Sequence, residues 1–454
     1  MEKNRESRLF GTDGIRKAVG DFPLDDDSIV KLGRSIGTLA RDSKVIIGRD
    51  TRDSGENIEK LIGAGMMSGA SGRCKVFSCG VIPTPGLSFV TDRGEFDYGI
   101  MITASHNPYT DNGIKIFGSD GEKIPETMEN RLEDIFFQLE TSRYSPVPLL
   151  PYSGGIKTYR DFLSSHATGL KEEWLGRGIK LGVVLDCANG ATYEIAPRVF
   201  REAGIETAAV HSQPDGKNIN RQCGSTHIEK LKEAVEAKNL HLGIAFDGDG
   251  DRVLFMDSKG RIIEGDHTLY IIAKYFLKTR EDFNKTVVGT VMENLALEKA
   301  LDKSGIRYTR TPVGDKYVYR EMKRRQAILG GEQSGHTILR SFQKTGDGIL
   351  TALYFLKALA YLEVTPSEAF DQLVLYPQVM KNIRIREKKD LGNWQQLNRM
   401  IDTFNETYGN NSRLLIRYSG TEPKIRVMME SEHRSVIDEN IGKFENLIQS
   451  TIGE

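Results

Sequence analysis

The stretch Leu242-Gly-Ile-Ala-Phe246-Asp247-Gly-Asp-Gly-Asp251-Arg252 decides how this chain folds. Its first half is a short apolar run of strand length. The run stops at once on three carboxylates separated by single glycines, which is loop chemistry. The same order recurs outward from it. Tyr98–Thr103 leads into Thr103-Ala-Ser-His-Asn-Pro108, Ala327–Leu329 into Gly330-Gly-Glu-Gln-Ser-Gly-His336, and Val45–Ile47 into Gly48-Arg-Asp-Thr-Arg52. Further strands are expected at Lys180–Leu185 and Thr286–Gly289, with helices at Ser28–Leu39, Ile228–Ala237 and Thr268–Leu277. Strands alternating with helices predict α/β layers built on largely parallel sheets. In such sheets ligands bind beyond the carboxyl ends of the strands, where these polar loops lie.

A chain of 454 residues exceeds one core, and composition suggests where it divides. Pro146, Pro148, Pro151 and Gly154–Gly155 crowd one linker, a second break follows the acidic loop, and a third lies near residue 370. Four domains are expected: 1–152, 153–254, 255–370 and 371–454. The last, opening with a strand at Val379–Arg386, reads as α+β. Lysine and arginine number 62 against 63 acids, so no general field attracts nucleic acid or anionic lipid, and an anion must be caught locally. The polar start MEKNRESRLF has no signal-peptide core, and Ile349–Leu362 is too short to span a bilayer. Four cysteines without CxxC spacing point to a reducing compartment; a cytoplasmic enzyme is expected.

The loops carry the chemistry. Three carboxylates at Asp247, Asp249 and Asp251 repel one another unless a cation lies between them, and hard oxygen ligands suit Mg²⁺. A calcium EF-hand does not fit, because its sixth position is Arg252 and its twelfth is Ser258. Arg252 suits a phosphate oxygen. Ser105, on a turn beside Pro108, is placed as a nucleophile or phosphoryl carrier; the plain alternative is an ST-turn. Lys115 offers an acid, a base or a neutralising charge. Glu332, Gln333, Ser334 and His336 form a hydrogen-bonding comb for sugar hydroxyls, or simply a polar turn. Arg417-Tyr-Ser-Gly-Thr421 and Lys424-Ile-Arg426 make a dianion cradle, or a hairpin with a polar turn. Phe10-Gly-Thr-Asp-Gly-Ile-Arg16 is a further glycine-bracketed loop, and Arg49 and Arg52 add positive charge near the first strand. Together these parts specify phosphoryl transfer by positioning and charge neutralisation. Neither a Walker A loop nor GxGxxG is present, so nucleotide use is not indicated.

Five motifs in order, FGTDGIR, TASHNP, DGDGDR, GEQSGH and RYSGTEPKIRV, resemble the α-D-phosphohexomutase superfamily end to end. The resemblance implies four domains around a central cleft, the first three related α/β layers with mixed sheets. It implies that Ser105 carries the phosphoryl group and holds Mg²⁺ together with Asp247, Asp249 and Asp251. Lys115, His106 and Arg16 would stand beside the transferring group, with Arg252 near its oxygens. Glu332, Ser334 and His336 would bind the sugar, and Arg417, Ser419, Gly420, Thr421 and Arg426 the idle phosphate. The implied reaction passes through a bound sugar 1,6-bisphosphate, with hexose 1,6-bisphosphate as priming donor. The partner is a small hexose phosphate, without nucleic acid or membrane; a homodimer stays open. Gln333 and Val313-Gly-Asp315 resemble the type acting on glucosamine phosphates, with mannose or glucose phosphates as the alternative and a sugar-phosphate phosphatase further off. Lys17 and Tyr418 depart from the usual glycine and proline.

Overall fold

The structure, a computed structural model, describes residues 8–11, 13–140, 148–238, 240–419 and 423–454. Pro146 of the expected linker lies outside the described residues. Among the described residues, four sheets follow one another along the chain. The first contains β1 (Ile15–Ala18), β2 (Lys44–Arg49), β3 (Lys75–Val81), β4 (Tyr98–Ile102), β5 (Asp111–Gly118) and β6 (Leu150–Pro151), in the order β1-β5-β4-β2-β3-β6. β4, β2, β3 and β6 are parallel, while β5 runs antiparallel to both of its neighbours, β4 and β1. Apolar clusters line both faces of this sheet, so helices cover it on each side.

The second sheet has β7 (Gly182–Asp186), β8 (Glu206–Val210), β9 (Leu242–Phe246), β10 (Val253–Asp257) and β11 (Ile262–Ile263), ordered β11-β10-β9-β7-β8. The third has β12 (Thr286–Thr290), β13 (Arg307–Thr311), β14 (Leu329–Gly331) and β15 (Thr337–Leu339), ordered β13-β12-β14-β15. Both mix parallel strands with antiparallel edges. Two expectations shift. The boundary placed at residue 254 falls inside β10, which pairs with β9; the acidic loop is a hairpin connection, and the chain leaves this sheet only after Ile263. The strand expected at Ala327–Leu329 starts later. Gln326 caps the preceding helix in the left-handed conformation, and Ala327 N–H still bonds Met322 O at 2.9 Å.

The contacts gather the chain into two compact units, Met1–Met292 with Ile306–Phe370, and Glu293–Gly305 with Asp371–Glu454. The second unit carries a three-stranded antiparallel sheet, β16 (Gln378–Arg384), β17 (Ser412–Tyr418) and β18 (Lys424–Ser431), ordered β16-β18-β17. The helices Gln395–Tyr408 and Arg434–Ile452 pack their apolar stripes, including Leu397, Phe404, Ile437 and Phe444, with the buried strand residues Ile425 and Val427.

Two local features of the larger unit matter below. The helices Asp26–Leu39 and Gly55–Gly69 meet along facing glycines. A Cβ on Gly33 would lie 2.4 Å from Ile62 O, and one on Gly65 would lie 2.2 Å from Val30 O. Only a hydrogen fits there. Elsewhere Asp347, buried, caps the helix Gly348–Tyr361 by accepting Leu350 N–H at 2.9 Å. Its other oxygen accepts Tyr159 OH at 2.8 Å and the Gln343 amide at 3.1 Å, and that amide also donates to Pro85 O at 3.3 Å. The second and third α/β regions thus meet on one carboxylate, and Gln343 links it to the backbone of the first.

The helix Gly348–Tyr361 is the run Ile349–Leu362 noted in the sequence, and its apolar residues from Ile349 to Ala360 are buried in the protein. Among the described residues, no helix is long and apolar enough to cross a membrane. All four cysteines are free thiols.

Candidate active site

β4 ends where the backbone turns sharply. Ser105 is fully buried and has φ +52°, in the left-handed region that a residue bearing Cβ rarely enters. Its N–H bonds Thr103 Oγ1 at 2.9 Å, and its Oγ donates to Asp247 Oδ2 at 2.7 Å. His106 Nδ1 stands 3.3 Å from the same Oγ and 3.3 Å from an Arg252 guanidinium nitrogen. Burial, then the charges of Arg252 and Arg16, push the His106 pKa down to about 4, so its ring is neutral at pH 7.

The three carboxylates of the acidic loop are buried together, with an oxygen from each lying within 4.8 Å of the others. Gly250, at φ +72°, makes the arc possible. Burial, then Asp251 and Asp249, raise Asp247 well above the usual carboxylate range. Against its own burial, Asp251 is held well below that range by Lys115, His336 and Arg252. Asp249 Oδ1 and Asp251 Oδ1 are buried without a hydrogen-bond partner. A hard divalent cation is the chemical species that satisfies such oxygens, so the donor set fits one.

Positive charge surrounds the loop. Lys115 Nζ, almost wholly buried, bonds Asp249 Oδ2 at 2.9 Å and Asp251 Oδ2 at 3.2 Å, and lies 3.2 Å from Asp13 Oδ2. Against its burial, those three carboxylates hold it well above the ordinary lysine range, which keeps it an ammonium. Arg16 pairs with Asp13. Arg252 N–H bonds Asp247 Oδ1 at 3.1 Å. The structure therefore brings Ser105, His106, Lys115, Arg16, Arg252 and the three aspartates into one cluster. Glu332, mostly buried, accepts Gly314 N–H at 3.1 Å, and Ser334 stands exposed at the tip of the adjacent turn. His336 lies deeper than Ser334. It is buried, its Nε2 faces the Gly346 N–H at 3.0 Å, and its ring lies 3.7 Å from Asp251 and from Asp315. A ring enclosed this way braces carboxylates. Gln333 donates to Glu264 Oε2 at 2.9 Å, tying its loop to the start of the helix Gly265–Thr279.

Within the second unit, Arg417 and Arg426 sit opposite each other in the β17–β18 register. Burial and the facing Arg426 lower the Arg417 pKa, since two like charges on one face are unfavourable without an anion. Ser419 is buried at the end of β17, and its N–H bonds Lys424 O at 2.8 Å. Gly420 and Thr421 lie outside the described residues.

Models of the four phosphoglucomutase/phosphomannomutase domains match in order: α/β/α domain I at residues 7–143, domain II at 158–260, domain III at 264–376 and the C-terminal domain at 380–441. The phosphoglucosamine mutase of Deinococcus deserti is 41% identical over 96% of each chain, and that of Thermus thermophilus 43% over 94% of each. The chain belongs to the phosphoglucomutase/phosphomannomutase family. Solved structures of the phosphoglucomutase/phosphomannomutase family share its fold. A family protein from Burkholderia thailandensis superposes with a TM-score of 0.78 at 22% identity, covering 99% of both chains. N-acetylphosphoglucosamine mutase of Aspergillus fumigatus, solved with GlcNAc-6P and magnesium, gives 0.69 at 16%, covering 97% of this chain and 95% of its own.

In this phosphoglucomutase/phosphomannomutase chain several residues at the site escaped the sequence reading. Asp13, inside the quoted FGTDGIR motif, joins Lys115, Arg16 and Lys123, and Lys123 goes on to pair with Asp315. Thr84 Oγ1 donates to Asp249 Oδ2 at 2.5 Å. Arg52, named in the sequence only as positive charge near the first strand, is buried. It is 1% exposed, and its guanidinium faces Asp50 and the backbone of the Ser105 turn. Asn220 reaches the same turn from the second α/β region. Two arginines around an aspartate in Gly48-Arg-Asp-Thr-Arg52, at the carboxyl end of β2, were the available signal for Arg52; Asn220 offered none.

Proposed function

We propose that this chain is a phosphoglucosamine mutase, interconverting glucosamine 6-phosphate and glucosamine 1-phosphate. The observation that carries the reading is the left-handed Ser105, whose Oγ is hydrogen-bonded to Asp247 of the three-carboxylate loop. Its support is the company this chain keeps, relatives named phosphoglucosamine mutase at about 40% identity over nearly their whole length.

In this reading Ser105 Oγ carries the phosphoryl group. A sugar hydroxyl attacks the phosphorus, the bond to Ser105 Oγ breaks, and a sugar 1,6-bisphosphate forms. The second transfer runs the other way: the other phosphoryl group moves to Ser105 Oγ and leaves the isomeric monophosphate. Asp247, Asp249 and Asp251 would hold Mg²⁺ with the serine phosphate, and the ion would neutralise charge on the transferring oxygens. Arg252 and Arg16 would bear on the remaining phosphoryl oxygens. His106, 3.3 Å from Ser105 Oγ, and Lys115, bonded to Asp249 and Asp251, would be the proton-handling groups. Glu332 and Ser334 would meet the sugar hydroxyls. Arg417, Ser419, Gly420, Thr421 and Arg426 would hold the phosphate that is not reacting. Hexose 1,6-bisphosphate would prime the serine, and the enzyme would work in the cytoplasm. We place the four domains as the sequence suggested, with the second boundary moved to the end of β11.

A ³¹P NMR time course tests this, with Mg²⁺, a trace of glucose 1,6-bisphosphate, and glucosamine, mannose and glucose 6-phosphates in parallel. Dominant formation of glucosamine 1-phosphate is expected. Faster conversion of the mannose or glucose compound would overturn the substrate, and inorganic phosphate rising with substrate loss would overturn the mutase.

A further inference from the structure

We propose that Arg52 and Asn220 form a two-sided clamp on the Ser105 turn and set the rate of phosphoryl transfer as positioning residues, without touching the sugar phosphate. The proposal rests on the reading of Ser105 as the carrier. A left-handed residue with a Cβ persists only where its surroundings over-determine it. Here they do. The carbonyls of Ser105 and Asn107 each accept two hydrogen bonds, one from either side. Arg52 Nη2 donates to them at 3.0 and 2.8 Å, and Asn220 Nδ2 at 2.8 and 3.1 Å.

The rest of the guanidinium is equally committed. Nη1 donates to Pro108 O and, at 3.0 Å, to Asp111 O, while Nε donates to Asp50 Oδ2 at 3.0 Å. All of the N–H donors are engaged, so none is left for a substrate oxygen. Asp50 Oδ2 also accepts Thr103 Oγ1 at 2.7 Å, and that hydroxyl oxygen accepts the Ser105 N–H. Both peptide groups of the reactive residue are thereby tied into one buried network.

Asn220 brings in the carboxylate side. Its own N–H bonds Ala188 O at 2.9 Å, and Gly248 of the acidic loop is so near that a Cβ there would lie 2.6 Å from Ser105 O. The clamp thus fixes Ser105 Oγ relative to Asp247. In-line transfer is sensitive to such placement, since a displacement of about 1 Å costs about 10²-fold in rate.

The test uses the full chain with Asn220→Ala and Arg52→Lys, the latter because a lysine offers three donors from one atom. Steady-state turnover of glucosamine 6-phosphate is measured, and so is single-turnover phosphorylation of Ser105 by glucose 1,6-bisphosphate. Expected are losses in kcat of about 10-fold for Asn220→Ala and about 10²-fold for Arg52→Lys, with KM within about twofold of wild type. The double variant should lose less than the product of the two, because both residues hold the same carbonyls. If Arg52→Lys does not fold, Asn220→Ala decides. Wild-type kcat in Asn220→Ala, or a raised KM at unchanged kcat, overturns the clamp and leaves the serine mechanism standing. Absence of mutase turnover in the wild type overturns both.

Discussion

Ser105 and Asp247 stand 142 positions apart in the chain, yet their side-chain oxygens meet at 2.7 Å. One belongs to the loop after β4 and the other to the loop after β9, so the pairing exists only once the first two sheets have packed. Ser105→Ala should leave that packing intact and remove the carrier. Turnover should fall by about 10³-fold or more, and intact-mass measurement should show no phosphorylation after exposure to glucose 1,6-bisphosphate. Mutase activity near wild type would end the carrier role.

Asp249→Asn should weaken the cation site specifically. Asp249 Oδ2 already receives Lys115 and Thr84, while Oδ1 has no protein partner. Losing its charge should raise the Mg²⁺ concentration for half-maximal activity by about 10- to 100-fold. Calorimetric Mn²⁺ binding gives a second readout. Unchanged affinity in both would take Asp249 off the ligand set.

The acidic loop was legible because its three ligands are neighbours in sequence and their mutual repulsion needs a cause. The serine turn was legible in type only. Its supports, Arg52 and Asn220, lie 53 and 115 residues away, and no local pattern reports such pairings. The break expected at 254 failed for a related reason. A glycine-rich acidic loop reads as a boundary, whereas here it joins two strands of one sheet. The enclosure of the His336 ring by Asp251, Asp315 and Gly346 is likewise invisible in the sequence, where only its polar neighbours show.

Gly65→Ala tests a packing relationship that sequence could not disclose. The added methyl meets the Val30 carbonyl at 2.2 Å, and that backbone cannot swing aside. Overpacking of this kind costs about 1 to 3 kcal/mol. A melting temperature several degrees lower is expected, with kcat at 25 °C within about twofold of wild type. An unshifted melting curve would mean the two helices separate freely.

Asp347 supplies a pH dependence. Burial pushes its pKa up to about 6, although Leu350 N–H, Tyr159 OH and Gln343 oppose the shift. An unfolded chain titrates this group near 3.9, so the folded state binds the proton more tightly. The stabilisation is complete below about pH 4 and is lost as pH rises through 6. Relative to Asp347→Asn, the wild type should therefore lose about 2 to 3 kcal/mol between pH 4 and pH 7. Melting temperatures of the two proteins across that range check it; a constant difference would refute the shift.

The meeting of Tyr159, Gln343 and Pro85 around Asp347 also has a mechanical side. A keystone of this kind spreads the loss of one side chain over three arches. Pro85 is reached through Gln343, and Tyr159 directly, so one buried carboxylate stands at a junction where three α/β regions come together.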